Sequence, residues 1–170
     1  MPISRPLRIL VSIGVLGVLL WKYAPSPTRT FVFKEQNCQC QIPYNWTLKN
    51  NATFIMEARR PTGGSFFIAA HPVSPTFRTD DPSLAQGFKN KLITDGYEIL
   101  NENIQPFKGQ KTYTVTFRKK INNKLIITHS VNFIAGNILY GLELAKRDTD
   151  PTEDSQLQDA LNSFSLITPP

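Results

Sequence analysis

Four side chains of this 170-residue sequence have the chemistry to ligate a metal ion or to undergo a redox change. They are the two cysteines, Cys38 and Cys40, and the two histidines, His71 and His129. Thiolate and imidazole groups suit zinc and copper. No pair has the spacing of a zinc finger or ribbon, and the neighbours of His129 on its strand face are apolar. A metal site is therefore one hypothesis, and the pattern favours structural roles.

Cys38 and Cys40 are separated by one residue, so both side chains would point to the same face of a β-strand. Their Cα atoms would lie about 7 Å apart, which is at the limit for a disulfide. Three interpretations stay open: two small residues on a buried face, a disulfide at a bulge, or a redox-active or metal-binding thiol pair. We favour the first.

Catalytic motifs are absent from the sequence. There is no G-x-S-x-G motif, and the serines hold no fixed relation to a histidine. The Gly63-Gly64 pair lacks the lysine and the following helix of a phosphate-binding loop. The acidic pairs Asp80-Asp81 and Glu153-Asp154 fall in the first turns of predicted helices, where capping explains them. We therefore expect a protein that is not an enzyme and that has no cofactor.

A cluster of basic residues surrounds a predicted hairpin tip at Asn122-Asn123. Lysines at a sheet edge block unwanted strand pairing, and this interpretation is favoured. The alternative is a contact with an anionic partner or an anionic headgroup close to a membrane. The cations concerned are Arg118, Lys119, Lys120 and Lys124.

The formal net charge of +6 comes mainly from the N-terminal segment. Four of the 19 basic residues lie in the first thirty positions, where there are no acids, so 15 basic and 13 acidic residues follow. A nucleic-acid-binding protein would carry its positive charge on the folded part. We therefore expect no nucleic-acid partner.

Residues 1–24 have the pattern of a signal-anchor or signal segment. Arg5 and Arg8 precede an uncharged apolar run over residues 9–21, and no A-x-A-like cleavage site follows it. We expect an uncleaved membrane anchor with the domain on the exported, periplasmic or extracytoplasmic side, and a cleaved secreted form is the alternative. Residues 25–30 read as a proline-rich linker, and residues 31–168 as a single domain.

The remaining pattern predicts the order β-β-β-α-β-β-β-β-α. Asp81 and Pro82 are expected to begin the first helix and Gly96 to end it, and Asp150, Pro151 and Glu153 to begin the second. The predicted strands cover residues 30–41, 53–59, 65–72, 97–107, 112–119, 124–134 and 137–145. Short hairpins give an antiparallel sheet, so the fold class is α+β, with helices covering a twisted sheet.

An opening strand followed by residues 41–46, with Pro43 and Trp46 as a Pro-x-x-Trp element, resembles PsbP-like and DcrB-like domains. The order of the later elements and a C-terminal helix running into Phe164 agree with this resemblance. The resemblance implies an α/β/α sandwich, usually exported or lumenal, that serves as an accessory or binding module.

Two functional hypotheses follow. The first is a membrane-tethered, exported, non-catalytic accessory or interaction module with a protein partner. The second is an exported redox or metal-handling protein that uses Cys38, Cys40 and a histidine.

Overall fold

A computed structural model describes residues 27–148 and 155–167 of the chain. Within these ranges the chain forms ten strands and two helices. In chain order they are β1 (Thr28–Phe33), β2 (Cys38–Pro43), β3 (Thr47–Lys49), β4 (Met56–Arg59), β5 (Ser65–Pro72), α1 (Pro82–Thr94), β6 (Glu98–Phe107), β7 (Gln110–Ile121), β8 (Lys124–Ala135), β9 (Ile138–Arg147), α2 (Ser155–Ser163) and β10 (Ser165–Leu166).

The strands form two antiparallel sheets. The large sheet has the order β3-β4-β5-β9-β8-β7-β6, and the small sheet has the order β1-β2-β10. All pairings are antiparallel, as the hairpin-rich sequence predicts. The predicted α+β class is therefore correct.

The single strand predicted over residues 30–41 is wrong. The chain instead turns between β1 and β2, and these strands pair so that Phe33 lies opposite Cys38. Asn37 takes up the left-handed conformation of the turn, with φ of 49°. Neither glycine nor proline marks this turn, and asparagine is one of the few other residues that tolerates that conformation. β1 also begins at Thr28, inside the range predicted as the linker.

The main core lies between one face of the large sheet and a layer formed by the small sheet and α2. The predicted apolar stripe of the C-terminal helix is fully buried in it: Leu157, Ala160, Leu161 and Phe164. The predicted cap at Asp150, Pro151 and Glu153 lies outside the described residues, as does the predicted anchor over residues 1–24.

Helix α1 packs on the opposite face of the large sheet. The Asp81 carboxylate accepts a hydrogen bond from the Ser83 backbone N–H at 2.8 Å, and Pro82 occupies the first turn. Gly96 has φ of +79°, and Tyr97 N–H donates to the Leu92 carbonyl, which together close the helix in a Schellman motif. The predicted boundaries of this helix are therefore confirmed.

The two helices thus lie on opposite faces of the large sheet, which agrees with the expected α/β/α arrangement. The small sheet shares the layer of α2, and this feature is missing from the prediction. Among the described residues no helix is both long and apolar enough to cross a membrane.

Candidate functional site

Helix α1 covers only part of its face of the large sheet. It packs on β6 and β7, where Phe88 and Leu92 meet Tyr113, Val115 and Phe117. The same face of β4, β5, β9 and β8 carries no helix in the described part of the chain. This uncovered face borders an open cleft with a volume of about 710 Å³.

We call this space the basic cleft. Its lining comes from the β4–β5 hairpin, from α1 and from the exposed face of β7, β8 and β9. The lining includes Phe54, Arg59, Arg60, Gly64, Phe67, Phe88, Lys91, Asp95, Tyr97, Phe117, Glu143, Ala145, Lys146 and Arg147.

Glu143 lies at the floor of the basic cleft. Its neighbours along β9, Leu142 and Leu144, face the main core, so the alternation of the strand turns Glu143 toward the cleft. Phe67 on β5 and Ser130 on β8 are its partners in the sheet register. Burial raises the pKa of the Glu143 carboxyl to about 7. The group can therefore act as a hydrogen-bond donor near neutral pH.

The walls of the basic cleft are aromatic. Phe54 packs on Phe67 with 4.8 Å between ring centroids. Tyr97 meets Phe117 edge to face at 5.1 Å. These contacts hold the rings in fixed positions, so the cleft offers apolar surface without first having to rearrange.

Cationic side chains gather at one end of the basic cleft. Arg59 ends β4 and pairs with Glu57, with 2.6 Å between Arg59 Nη2 and Glu57 Oε1. Arg60 Nε donates to the Gly63 carbonyl at 2.6 Å. Lys146 and Arg147 end β9 beside them. Four basic residues thus lie at one end of the cleft, and the charge of Arg59 is paired with that of Glu57.

Gly64 allows the hairpin to approach β9 closely at this end. Its φ is +87°, and a Cβ placed there would lie 3.0 Å from Leu157 Cδ1 and 3.3 Å from the Ala145 carbonyl oxygen. A side chain at this position would therefore push the hairpin away from β9. The glycine pair that the sequence identifies as a hairpin turn thus also positions Arg60.

The geometry of the cleft suits binding. Pockets for small molecules have volumes of roughly 300–1,000 Å³, mostly apolar walls and a few polar groups that fix orientation. Within the described residues of the cleft, no serine or cysteine lies against a histidine as a nucleophile would.

The structure places Cys38 and Cys40 in the main core. Both are completely buried on one face of β2 as free thiols, as the favoured interpretation has it. Cys40 Sγ lies 3.7 Å from Met56 Sδ. Burial raises the pKa of the Cys38 thiol to about 11 and that of Cys40 to about 12. Buried thiols with raised pKa values are poor nucleophiles and poor metal ligands.

The two histidines lie on other strands. His71 is exposed near the end of β5, and His129 is partly buried on β8. His129 Nδ1 lies 3.1 Å from Thr116 Oγ1. Burial lowers the pKa of the His129 imidazole. Within residues 27–148 and 155–167, no three histidine, cysteine or acidic side chains come together as metal ligands would.

The predicted basic tip is a two-residue turn between β7 and β8, with φ of 48° at Asn122 and 61° at Asn123. Arg118 makes two hydrogen bonds of 2.8 Å to the Glu98 carboxylate. Lys119 Nζ lies 4.7 Å from the Tyr97 ring centroid and also donates to the Asp95 carbonyl. Lys120 and Lys124 are exposed. Two of the four predicted cations thus make contacts within the domain.

Sequence reasoning missed the basic cleft and Glu143. The only local signal is that Glu143 lies between Leu142 and Leu144. This pattern indicates that apolar and polar side chains alternate along a strand, but it does not show what packs on the face to which Glu143 points. Arg59-Arg60 is visible in the sequence as the end of a strand, yet nothing local places it beside Arg147.

The fold is similar to that of solved structures. The solution structure of cyanobacterial PsbP (CyanoP) from Synechocystis sp. PCC 6803 aligns with a TM-score of 0.63 at 12% identity, over 85% of this chain and 95% of that chain. A crystal structure from Bacteroides thetaiotaomicron VPI-5482 aligns with a TM-score of 0.58 at 11% identity, over 82% of this chain and 48% of that one. No family model and no curated protein matches the sequence.

These alignments establish the class of fold. The described domain has a PsbP-like fold, and the resemblance predicted from the Pro-x-x-Trp element and the order of elements is confirmed at that level. Identities of 11–12% establish the fold alone, so function rests on the features of the domain itself.

Proposed function

We propose that this chain is a non-catalytic accessory module that acts by binding, with the basic cleft as its binding surface. The observation that carries the proposal is the uncovered part of the large sheet, where aromatic rings line an open cleft of about 710 Å³ that has basic residues at one end. An apolar surface left open in a domain with an otherwise closed core is a common mark of an interaction site.

The proposal includes a tether. The apolar run over residues 9–21 follows Arg5 and Arg8, and β1 begins at Thr28, so only a short stretch separates the run from the domain. We propose that residues 1–24 hold the domain at the extracytoplasmic face of a membrane. The domain would then meet a protein partner close to the bilayer, with the face around the basic cleft toward that partner.

A capture experiment tests this proposal. The full-length chain, in membranes of its source organism, is cross-linked and purified as wild type and as Ala145→Phe. Ala145 lines the basic cleft, so a phenyl ring there would occupy the space. Thr30→Phe is the matched control, because Thr30 is exposed on β1 of the small sheet.

We expect the wild type and Thr30→Phe to capture the same protein and Ala145→Phe to lose it. Circular dichroism of the three purified proteins checks that each is folded. Equal capture by all three chains, or capture of nothing by the wild type, would contradict the proposal.

No feature of residues 27–148 and 155–167 favours the redox or metal-handling alternative. The buried thiols and the two histidines lie in separate places, and both thiol pKa values move away from the reactive range.

A further inference from the structure

The hairpin between β7 and β8 projects from one end of the large sheet. We call residues 119–124 the hairpin tip. The pairing of β7 with β6 ends at Arg118, and the pairing of β8 with β9 ends at Ile126. Ile121 pairs with Lys124 across the turn, so the tip extends beyond both neighbouring strands. The edges of the sheet are β3 and β6, so the tip does not lie on an edge strand.

Two lysines of the hairpin tip have no carboxylate partner among the described residues. Lys120 and Lys124 are exposed, and neither takes part in an ion pair there. Residues that pair directly in an antiparallel ladder point to the same face, so Lys124 shares the face of Ile121 and Lys120 points to the opposite face. Ile121 is 44% exposed. The tip thus has a cation on each face and an exposed apolar side chain near its end.

The other cations near the hairpin tip already have partners. Arg118 is paired with Glu98, and Lys119 donates to the Asp95 carbonyl. Asp148 lies beside the tip, because its backbone N–H donates to the Leu125 carbonyl at 3.0 Å. The acids at positions 150, 153 and 154 follow β9 outside the described residues, so the cations at the end of β9 are not counted in the contact. Lys120 and Lys124 remain as the cations of the tip.

The chain enters the domain at the same end of the large sheet. Tyr44 N–H donates to the Pro27 carbonyl at 3.0 Å, and Tyr44 lies three residues before β3. The sheet register aligns the first residue of β3 with one residue on each of five further strands. This row is Thr47, Arg59, Ser65, Ala145, Thr128 and Phe117. The hairpin tip lies beyond the row on the side from which β3 begins.

The proposed tether would hold this end of the domain near the bilayer. Pro27 lies six residues after Trp21, the last residue of the apolar run, and six extended residues span at most about 20 Å. Ile121 lies four residues beyond Phe117, which places it about 13 Å past the row. The hairpin tip therefore projects toward the membrane by a distance that the linker can match.

We propose that the hairpin tip is a second membrane contact, at which Lys120 and Lys124 bind anionic phospholipid headgroups and Ile121 enters the interface. A layer of headgroups surrounds a projecting tip and meets the lysines on both of its faces, whereas a protein surface would cover one face. Ile121 also lines the basic cleft, so the contact places that end of the cleft beside the bilayer.

The contact is weak without the tether. Each lysine close to an anionic surface raises the bound population about fivefold. The tether increases the effective concentration of headgroups around the tip, so that a weak contact is populated. The inference thus rests on the proposed function in one respect, namely that residues 1–24 anchor the chain.

Lipid photo-labelling tests the inference on the full-length chain in nanodiscs. One set of nanodiscs contains equal parts of phosphatidylglycerol and phosphatidylcholine, with a trace of phosphatidylglycerol that carries a diazirine in its headgroup. The matched set contains phosphatidylcholine alone, with a trace of phosphatidylcholine that carries the same group. Mass spectrometry locates the labelled residues. We expect the anionic probe to label residues 119–124 roughly tenfold more than the zwitterionic probe does.

Variants then test the two lysines. Lys120→Glu combined with Lys124→Glu should reduce labelling of the tip by the anionic probe at least roughly tenfold, because attraction becomes repulsion. Ile121→Ser should reduce labelling by both probes and preserve the preference for the anionic one. Circular dichroism checks that each variant is folded.

The matched control is Lys34→Glu combined with Arg78→Glu, which makes the same change of charge at exposed positions. Both positions lie toward the opposite end of the large sheet. The β1–β2 turn after Lys34 accepts a hydrogen bond from Tyr140 Oη, and Thr79 beside Arg78 accepts one from the Ile134 N–H. This variant should label like the wild type.

Equal labelling of the tip by the two probes, or labelling that the double lysine variant does not reduce, would overturn the inference. Absence of labelling at the tip in a chain that the nanodiscs retain would overturn it too. The proposed function stands in these cases if Ala145→Phe still abolishes capture of the partner. A wild-type chain that nanodiscs do not retain would remove the tether and the inference together. Labelling of the tip as expected, with capture that Ala145→Phe does not alter, would support the inference and remove the basic cleft as the binding surface.

Discussion

The carboxyl group of Glu143 is poorly hydrated, because β9 turns this side chain toward the floor of the cleft. Its pKa of about 7 follows from burial, which disfavours the charged form. The folded chain therefore binds this proton more tightly than the unfolded chain does. Such a group stabilises the fold at low pH, and that stabilisation is lost as the pH rises through the folded pKa.

The Glu143→Gln variant should therefore remove a specific part of the pH dependence of stability. Between about pH 4.5 and pH 7 the free energy of unfolding of the wild type should fall relative to that of the variant, and at pH 8 the variant should be more stable by about 2–3 kcal/mol. Urea unfolding across this range measures the difference. Parallel profiles for the two proteins would contradict the account. The other charged groups that line the cleft together with Glu143 are Arg59, Arg60, Lys91, Asp95, Lys146 and Arg147.

Trp46 is a structural residue. It is only 2% exposed, it packs in the main core, and its backbone N–H donates to the Pro43 carbonyl at 3.1 Å. Trp46→Ala should cost about 3–5 kcal/mol of unfolding free energy, since it would leave a large cavity. The neighbouring Tyr44 is 62% exposed, and Tyr44→Ala should change stability by less than about 0.5 kcal/mol. Urea unfolding that shows equal losses for both variants would contradict this assignment.

Helix α2 is an integral part of the main core. Its buried stripe contacts the small sheet and the large sheet together, and Ser163 Oγ accepts a hydrogen bond from the Gln41 N–H at 2.8 Å. Each large side chain of the stripe contributes about 1.5–3 kcal/mol through burial. The strand β10 that follows also pairs with β2.

Deleting residues 150–170 should therefore abolish cooperative unfolding. Differential scanning calorimetry should show one sharp transition for the intact chain and none for the truncated chain. Deleting only residues 168–170 is the control and should preserve the transition. A sharp transition in the longer truncation would mean that α2 and β10 are dispensable.

The sequence was informative about elements wherever local chemistry decides the structure. Asp81, Pro82 and Gly96 define α1 because caps depend on a few neighbouring residues. The β1–β2 turn escaped prediction because Asn37 is the only residue that marks it. The basic cleft could not be predicted, because it depends on which strands α1 leaves uncovered. That is decided by packing between distant segments and not by local pattern.

In the intact protein, the proposed tether and the domain should be separable. The main core is closed by residues from β1 to β10, and Thr28 already pairs with Pro43 in the small sheet. Removing residues 1–24 should therefore release a soluble chain with the same thermal transition as the full-length protein. Fractionation and calorimetry measure this, and a truncated chain that stays in the membrane fraction would contradict the tether.

We propose that a partner binds this protein at the basic cleft. Hydroxyl-radical footprinting of the full-length chain, in native membranes and after purification, tests it most directly, because oxidation reports the exposure of each aromatic side chain. We expect Phe54, Phe67 and Tyr97 to be protected in native membranes and to be oxidised more rapidly in the purified chain, while Tyr44 changes little. Equal oxidation of the three cleft rings in both states, or protection confined to the small sheet, would contradict it.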